Sequence, residues 1–252
     1  MQTFLYDDIE IIPAIDLRGG SCVRLHQGRF DRETVFDDDP VRAAWHVARG
    51  ARMLHVVDLD GARSGRGANL DVIARLLADL PLAIQCGGGL RTREDVRRLL
   101  DLGASRVVLG SIAVEQPKTV IEWLQFIGRD RLVVALDARA DERGTYKLAS
   151  RGWQERSDTR LEDALSYFSE KGVRHVLCTD IERDGAMGGP SIDLYRQLSA
   201  RFPDVQLQAS GGVRHTADLA ALAGAGIRQV IVGRALLESG AAKEEQACQP
   251  SA

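Results

Sequence analysis

The chain has 252 residues, 44% of them hydrophobic, and its 33 basic residues nearly balance its 36 acidic residues, for a net charge of −3. This balance argues against a nucleic-acid partner, because proteins that bind phosphate backbones cluster Lys and Arg, which here are dispersed among acids. No apolar run reaches the roughly 20 residues that span a bilayer, and the acidic segment 1–10 does not resemble a secretory signal. We therefore expect a soluble, cytoplasmic protein without a membrane partner.

Eight short apolar runs rich in β-branched residues recur along the chain. They are continuous rather than alternating, as expected for strands that are buried on both faces of a parallel sheet. The predicted strands span residues 9–15, 53–57, 82–86, 106–109, 132–136, 175–178, 205–209 and 229–232.

Amphipathic segments separate these runs. The clearest predicted helix has Thr92 as its N-cap and acids in its first turn, and it stops before Gly103. The other predicted helices span residues 41–49, 70–79, 119–126, 161–170, 193–202 and 217–222. This alternation predicts an α/β fold, a single (β/α)8 TIM barrel over residues 1–252 with a peripheral tail from about residue 240. An open doubly wound sheet is the alternative, but it usually has only about five or six strands.

The second half of the chain repeats the first. At a constant offset of 123 residues, segment 85–110 aligns without gaps with segment 208–233 and is identical at nine of 26 positions. Asp16 and Asp137 end the first and fifth predicted strands at a similar offset. We expect two duplicated half-barrels, in which elements four strands apart face each other across the mouth.

Glycine pairs follow the third and seventh predicted strands, and another glycine follows the fourth and the eighth. Glycine lets backbone N–H groups approach an anion at the start of a helix, where the dipole is positive. We predict two opposed phosphate sites, and therefore an elongated ligand with a phosphate at each end. A bulky residue at Gly88 or Gly211 is expected to occupy the space of a phosphate oxygen. The predicted phosphate-binding residues are Gly88, Gly89, Gly110, Ser111, Gly211, Gly212, Gly233 and Arg234.

Asp16 and Asp137 each follow four apolar residues at the carboxyl end of a predicted strand, where the active sites of barrels lie. On opposite walls they would flank the middle of such a ligand, and two carboxyl groups around a reacting centre suit general acid and general base catalysis. The alternative is that each aspartate caps a loop. Nothing in the sequence suggests a metal or a redox cofactor.

Several other side chains are candidates for contacts with the ligand. Acids and a threonine near strand ends could bond a sugar, an arginine could hold an anion, and a tryptophan in a glycine-bearing loop could stack on a planar base. Each of these residues could instead order a loop, pack in the core or lie solvated on the surface. These candidates are Arg24, His55, Asp58, Asp60, Trp153, Thr179 and Asp184.

Taken together, the motifs resemble the phosphoribosylformimino-aminoimidazole carboxamide ribotide isomerase family of histidine biosynthesis, from Glu10 to Leu237. The segments that carry the resemblance are IIPAIDLRGGSCVRLHQG (11–28), LHVVDLDGARSG (54–65), QCGGGLR (85–91), VVLGSIAV (107–114), LDARADERGTYKLASRGW (136–153), CTDIERDG (178–185), ASGGVR (209–214) and IVGRALLE (231–238).

The resemblance implies a cofactor-independent aldose–ketose isomerase that performs an Amadori rearrangement on a bisphosphorylated aminoaldose. By position, it implies that Asp16 is the general base and that Asp137 is the general acid, which protonates the oxygen of the ribose ring. It also implies that Trp153 packs on the imidazole carboxamide of the substrate. The substrate-binding residues that it implies are Arg24, His55, Trp153, Thr179 and Asp184.

Two positions depart from the family pattern: Ala186 stands where threonine is usual, which removes a possible hydroxyl contact to phosphate, and Cys86 replaces an aliphatic residue. One alternative is a dual-substrate isomerase that also accepts phosphoribosyl anthranilate. A second is the paralogous cyclase, which would be expected to carry a Cys-Leu-Asp-Val type first strand and a lysine close behind. A third is a non-catalytic phosphosugar-binding barrel, which would not need both aspartates. We expect a monomer with single specificity.

Overall fold

The computed structural model describes residues 5–6, 8–26 and 28–238. In chain order, its strands are β1 (Leu5–Tyr6), β2 (Ile9–Arg18), β3 (Ser21–His26), β4 (Arg29–Asp37), β5 (Met53–Asp58), β6 (Ala83–Gly87), β7 (Arg106–Leu109), β8 (Leu132–Ala140), β9 (Tyr146–Ser150), β10 (Glu155–Arg160), β11 (His175–Asp180), β12 (Gln206–Ser210) and β13 (Gln229–Val232). Its helices are α1 (Pro40–Ala48), α2 (Leu59–Ser64), α3 (Leu70–Asp79), α4 (Arg93–Asp101), α5 (Ser111–Glu115), α6 (Pro117–Ile127), α7 (Leu161–Glu170), α8 (Ile192–Arg201) and α9 (Thr216–Gly224).

Eight of these strands form a closed parallel barrel. Neighbours pair in the order β2, β5, β6, β7, β8, β11, β12 and β13. The last strand then pairs with the first, with Ile231 opposite Ile12. This closure confirms the predicted TIM barrel and rules out the open sheet. All eight predicted strands and all seven predicted helices are present, with ends that differ by a few residues.

The barrel strands are buried on both faces, which explains their continuous apolar runs. Inside the barrel, a small apolar cluster includes Ile12, Val133 and Leu177. A larger cluster fills the layer between the barrel and its helices, and fully buried Leu54 and Leu136 belong to it. The carboxyl ends of all eight strands therefore meet at one face of a packed core.

Helix α4 begins as the sequence predicts. The Thr92 hydroxyl accepts a hydrogen bond from the Asp95 N–H over 3.1 Å, and the Asp95 carboxylate accepts one from the Thr92 N–H over 2.9 Å. Such a capping box stabilises a helix by about 1 kcal/mol. At the matching position of the repeat, Asp218 accepts hydrogen bonds from the N–H groups of Arg214 and His215. The local geometry repeats along with the sequence, while the duplication itself stays a prediction.

Two antiparallel hairpins extend from opposite sides of the barrel and were not predicted. Strand β2 continues into β3 and β4, and β8 continues into β9 and β10. The short helices α2 and α5 are also additional. These elements all lie beyond the carboxyl ends of barrel strands, around the mouth.

None of the helices in the described ranges is long and apolar enough to cross a membrane. The described cysteines, Cys22, Cys86 and Cys178, are buried free thiols. Cys248 and the predicted tail from about residue 240 lie outside the described residues.

Candidate active site

A cavity of about 200 Å³ opens at the carboxyl ends of the barrel strands. It brings together both predicted catalytic aspartates and all five predicted substrate-binding residues. Its lining includes Asp16, Arg24, His55, Asp137, Trp153, Thr179 and Asp184. Four of these residues lie on the barrel strands β2, β5, β8 and β11, and the other three lie on β3 and in the turns that follow β9 and β11. The closed fold is what unites them. Their individual roles stay predictions.

The predicted phosphate-binding residues lie on the same cavity and on a smaller one of about 20 Å³ that adjoins it. The large cavity is lined by Gly88, Gly89, Gly110, Ser111 and Gly233. The small cavity is lined by Gly211, Gly212, Gly233 and Arg234. Arg24 and Asp184 line both cavities and so lie at their junction.

Arg24 joins two carboxylates at this junction. It lies on β3, which folds back against the end of β2. Its Nη1 donates to Asp16 Oδ2 over 2.9 Å, and its Nη2 donates to Asp184 Oδ1 over 2.6 Å. Burial opposes the charge of Arg24, but the two carboxylates more than offset this effect and raise its pKa. Asp16 therefore has a permanent cation beside it.

The pKa of Asp16 reflects competing effects. Burial raises the pKa of Asp16 above its ordinary value, Arg24 opposes the rise, and the nearby Asp184 carboxylate adds to it. Because the Arg24 guanidinium is both a charge and a hydrogen-bond donor, it favours the ionised form of Asp16. Arg24 thus favours the carboxylate form, which can accept a proton, against the overall rise in the pKa of Asp16.

Asp137 differs from Asp16 in having neutral partners. The Trp153 indole Nε1 donates to Asp137 Oδ2 over 2.8 Å. Burial raises the pKa of Asp137, and the hydrogen bonds from Trp153 and Thr179 only partly oppose this rise. No cation contributes to the pKa of Asp137 among the described residues. Asp137 is therefore the carboxyl group of the two whose partners are neutral donors.

Trp153 lies in the turn between β9 and β10 with a positive φ of 67°. A Cβ atom on Gly28 would lie 2.2 Å from Trp153 Cε3, so the turn between β3 and β4 packs directly on the indole ring. The resemblance implies a role for Trp153 on the imidazole carboxamide. In this structure, its indole N–H binds the candidate acid Asp137 instead.

The backbone gives Gly88 and Gly211 a reason to be glycine beyond the predicted one. Both have positive φ, of 108° and 98°. A Cβ on Gly88 would lie 2.2 Å from the Asp58 carbonyl oxygen, and one on Gly211 would lie 2.9 Å from that of Asp180. The neighbouring backbone already fills the space beside each Cα. The expectation that a side chain here would also take the place of a phosphate oxygen stays a prediction.

Gly110 does have free space beside it. Its φ is −99°, and the nearest atom to an added Cβ would be the Ala135 Cβ at 3.8 Å. Ser111 follows as the first residue of α5, and its hydroxyl accepts the N–H of Arg151 over 2.8 Å. A side-chain atom therefore has room beside Gly110 but not beside Gly88.

Asp58 and Asp60 order a loop, which is the more ordinary of the two roles considered for them. The Asp58 carboxylate accepts hydrogen bonds from the N–H groups of Ala68 and Asn69 and from the Asn69 side-chain amide, over 2.7 to 3.1 Å. Asp60 accepts a second hydrogen bond from the Asn69 side chain. Neither aspartate lines the cavity.

Sequence reasoning missed Arg91. It lines the cavity beside Gly89, and a Cβ on Gly65 would lie 2.3 Å from its guanidinium carbon. Its repeat counterpart Arg214 binds Asp218 through Nε and Nη2. By contrast, the Arg91 guanidinium makes no hydrogen bond or ion pair within the described ranges. An unpaired guanidinium beside a glycine loop is suited to bind phosphate, and it contrasts with the predicted Arg234, which already binds the Gly185 carbonyl.

Within the described ranges, no group of three or more His, Cys, Asp and Glu side chains is arranged to hold a metal ion. The charged and titratable side chains that line the cavity are carboxyl groups, an imidazole and guanidinium groups.

The fold and the cavity define the class of the protein: a (β/α)8 barrel with a small-molecule site at the carboxyl ends of its strands. The chain belongs to the histidine biosynthesis protein family, whose model matches residues 10–241.

Curated relatives from three bacteria share the name 1-(5-phosphoribosyl)-5-((5-phosphoribosylamino)methylideneamino) imidazole-4-carboxamide isomerase. The protein from Proteus mirabilis is 48% identical over 229 residues, which is 90% of this chain and 94% of the relative. That from Tolumonas auensis is 49% identical over 94% of this chain and 98% of its own length. That from Edwardsiella ictaluri is 48% identical over 96% of this chain and 100% of its own length.

Proposed function

We propose that this chain is the aldose–ketose isomerase of histidine biosynthesis, which converts phosphoribosylformimino-aminoimidazole carboxamide ribotide to its phosphoribulosyl isomer. The observation that carries the proposal is the placement of Asp16 and Asp137 on barrel strands β2 and β8, in one cavity with the glycine loops. A bisphosphorylated ligand held at both ends would have its reacting sugar between these carboxyl groups. The names of the curated relatives support the same substrate.

Asp137 is proposed to open the ribose ring. It donates its proton to the ring oxygen as the bond from that oxygen to C1′ breaks, which leaves a C1′=N iminium group. Its raised pKa supports this role, because a general acid must hold a proton near neutral pH. When Trp153 leaves Asp137 for the ligand, Asp137 loses a donor that favours its ionised form, so its pKa rises further.

Asp16 is proposed to remove the proton from C2′ of the open iminium. The electron pair of the C–H bond then forms the C1′=C2′ bond of an enolamine, and the iminium nitrogen becomes neutral. Protonation of C1′ and loss of the C2′ hydroxyl proton give the ketone, so no net proton is gained or lost. Arg24 holds Asp16 in the ionised form that this step needs.

The experiment that tests the function is a steady-state assay of purified protein with the bisphosphorylated aminoaldose and, separately, with phosphoribosyl anthranilate. We expect turnover of the first compound and single specificity. Added chelator is expected to leave the rate unchanged, because two carboxyl groups perform the chemistry. Binding without turnover would favour the non-catalytic phosphosugar barrel and would contradict the proposal.

We also propose that the enzyme works as a monomer in the cytoplasm. The predicted catalytic, substrate-binding and phosphate-binding residues all come from one chain, so a second copy is not needed to complete the site. Sedimentation at assay concentrations measures this directly, and activity that is lost on dilution to the monomer would contradict it.

A further inference from the structure

Two buried glutamines meet in the middle of the barrel. Gln85 on β6 and Gln208 on β12 lie on opposite walls, and both are 0% exposed. Gln85 Nε2 donates to Gln208 Oε1 over 2.8 Å, and Gln208 Nε2 donates to Gln85 Oε1 over 3.1 Å. The proposed chemistry uses neither residue. Buried polar groups of this kind are costly unless every hydrogen bond is made.

This amide pair is connected at both ends. Toward the cavity, Gln85 Nε2 lies 3.0 Å from His55 Nδ1. Away from the cavity, Gln208 Nε2 donates to Gln229 Oε1 over 3.4 Å, and Gln229 Nε2 donates to Glu10 Oε2 over 2.7 Å. Gln229 and Glu10 are paired near the starts of strands β13 and β2, at the amino-terminal end of the barrel. A continuous chain of hydrogen bonds thus runs through the barrel.

The charged end sets the direction of this chain. A carboxylate only accepts hydrogen bonds, so Glu10 accepts one from the amide nitrogen of Gln229. The amide oxygen of Gln229 is then the atom that accepts from Gln208. Gln208 must then direct Nε2 to Gln229 and keep Oε1 for Gln85. This in turn leaves Gln85 with Nε2 directed at both Gln208 and His55. A donor at this position requires His55 Nδ1 to carry no proton.

A neutral imidazole with a bare Nδ1 carries its proton on Nε2. His55 Nε2 makes no hydrogen bond to the residues that the structure describes, and His55 lines the cavity. Burial, together with the nearby charge of Arg24, lowers the pKa of His55 to about 4, so the ring is neutral at neutral pH. His55 therefore offers the cavity one N–H donor of fixed identity.

We propose that Glu10, at the far end of the barrel, fixes the tautomer of His55. It acts through Gln229, Gln208 and Gln85, which are positioning residues. The result is that His55 donates its Nε2–H to an oxygen of the bound sugar phosphate. That ligand rests on the proposed function, whereas the tautomer of the free protein does not.

The test is a long-range 1H–15N correlation spectrum of the full chain labelled with 15N-histidine, without ligand, at pH 7. A His55→Asn variant identifies the signals of His55. We expect a wild-type Nδ1 signal of an unprotonated ring nitrogen and an Nε2 signal of a protonated one.

Glu10→Gln keeps the shape of the side chain but lets the amide chain reverse, so the two His55 nitrogen signals are expected to move toward each other. Gln229→Met breaks the chain next to Glu10 and should have the same effect. Glu122→Gln removes an exposed carboxylate on α6 and is the matched control, with a wild-type spectrum expected. If half of the molecules carry the wrong tautomer, kcat falls only about twofold, so the spectrum is the sharper measurement.

A proton on Nδ1 in the wild-type protein would overturn the proposal, and so would an unchanged tautomer in both Glu10→Gln and Gln229→Met. Because the spectra need no substrate, an inactive enzyme with the expected tautomer would contradict only the proposed function. An active enzyme whose tautomer does not respond to Glu10 would contradict only this inference.

Discussion

Asp16 and Asp137 have the same residue type and similar burial, so their partners must separate their roles. Asp16 accepts from a guanidinium, whereas Asp137 accepts from an indole and a hydroxyl. Both have a raised pKa because water is excluded, but only Asp16 has a cation to favour its charge. The proposed assignment of base and acid is therefore supported by one arginine.

Replacing either aspartate by asparagine keeps the shape of the side chain and abolishes proton exchange. Asp16→Asn and Asp137→Asn are each expected to lower kcat by about 100- to 10,000-fold, because a positioned acid or base contributes that much. KM should change far less, since the loss falls on the transition state. Steady-state kinetics check this, with Asp101→Asn on the outside of α4 as the control. Near-wild-type turnover in either variant would remove that aspartate from the mechanism.

His175 makes the stability of the protein depend on pH. Burial lowers its pKa to about 4, with a contribution from Arg106, and its Nδ1 has no hydrogen-bond partner among the described residues. The unfolded chain binds a proton at His175 near pH 6.5, while the folded chain does so only near pH 4. The neutral imidazole of His175 thus favours the folded state above pH 6.5. The free energy of unfolding falls as the pH falls toward 4, because the unfolded chain takes up a proton that the folded chain does not.

His175→Leu removes this titration. Its free energy of unfolding is expected to fall less steeply than that of the wild type between pH 6.5 and 4, by up to about 1.4 kcal/mol per pH unit. Urea unfolding at several pH values measures the two slopes. Between pH 7.5 and 8.5 the imidazole is neutral in both states, so the slopes should agree there. Equal slopes in the acidic range would refute the assignment.

At the residue scale, the sequence predicted those cavity residues whose side chains can exchange protons or bind a ligand. It missed Arg91 and Gln85, although both are identical to their repeat partners. Identity within a repeat does not say which of the two copies has a partner. The structure shows that Arg214 is bound to Asp218, whereas the Arg91 guanidinium has no partner in the described ranges.

Among the elements, those of the barrel could be predicted because burial on both faces leaves an unbroken apolar run. The hairpin strands could not be predicted, since their sequences lack such an apolar run. Most residues of β4 and β10 are exposed, and their sequences are largely polar and charged. Their pairing depends on the ends of β2 and β8, which continue past the barrel, rather than on any pattern of their own.

The loop after β6 and the loop after β7 should respond differently to the same change. Gly88→Ala forces a Cβ against the Asp58 backbone at positive φ, so we expect a loss of at least about 2 kcal/mol in unfolding free energy. Gly110→Ala, its matched control, meets no close atom and should change stability much less, but it should raise KM because the methyl group enters the cavity. Denaturant unfolding and kinetics of both variants test this pair. Equal destabilisation would contradict it.

For the whole molecule, the two cavities on either side of Arg24 predict a ligand that binds at both ends. The bisphosphorylated substrate should therefore raise the melting temperature of Asp137→Asn more than ribose 5-phosphate does at the same concentration. A ligand at 100 times its Kd stabilises the folded state by about 2.7 kcal/mol. Differential scanning calorimetry measures both shifts. Equal shifts would show that only one end is recognised.

Each candidate catalytic aspartate lies on a strand that runs on into a hairpin, and that hairpin supplies its partner. Arg24 on β3 reaches Asp16, and Trp153 between β9 and β10 reaches Asp137. Burial raises the pKa of both aspartates, and a partner from a separate segment outside the barrel wall opposes this rise in each case. Evolution, or an engineer, can exchange one hairpin for another and retune the acid or the base by itself, while the core that determines folding stays the same.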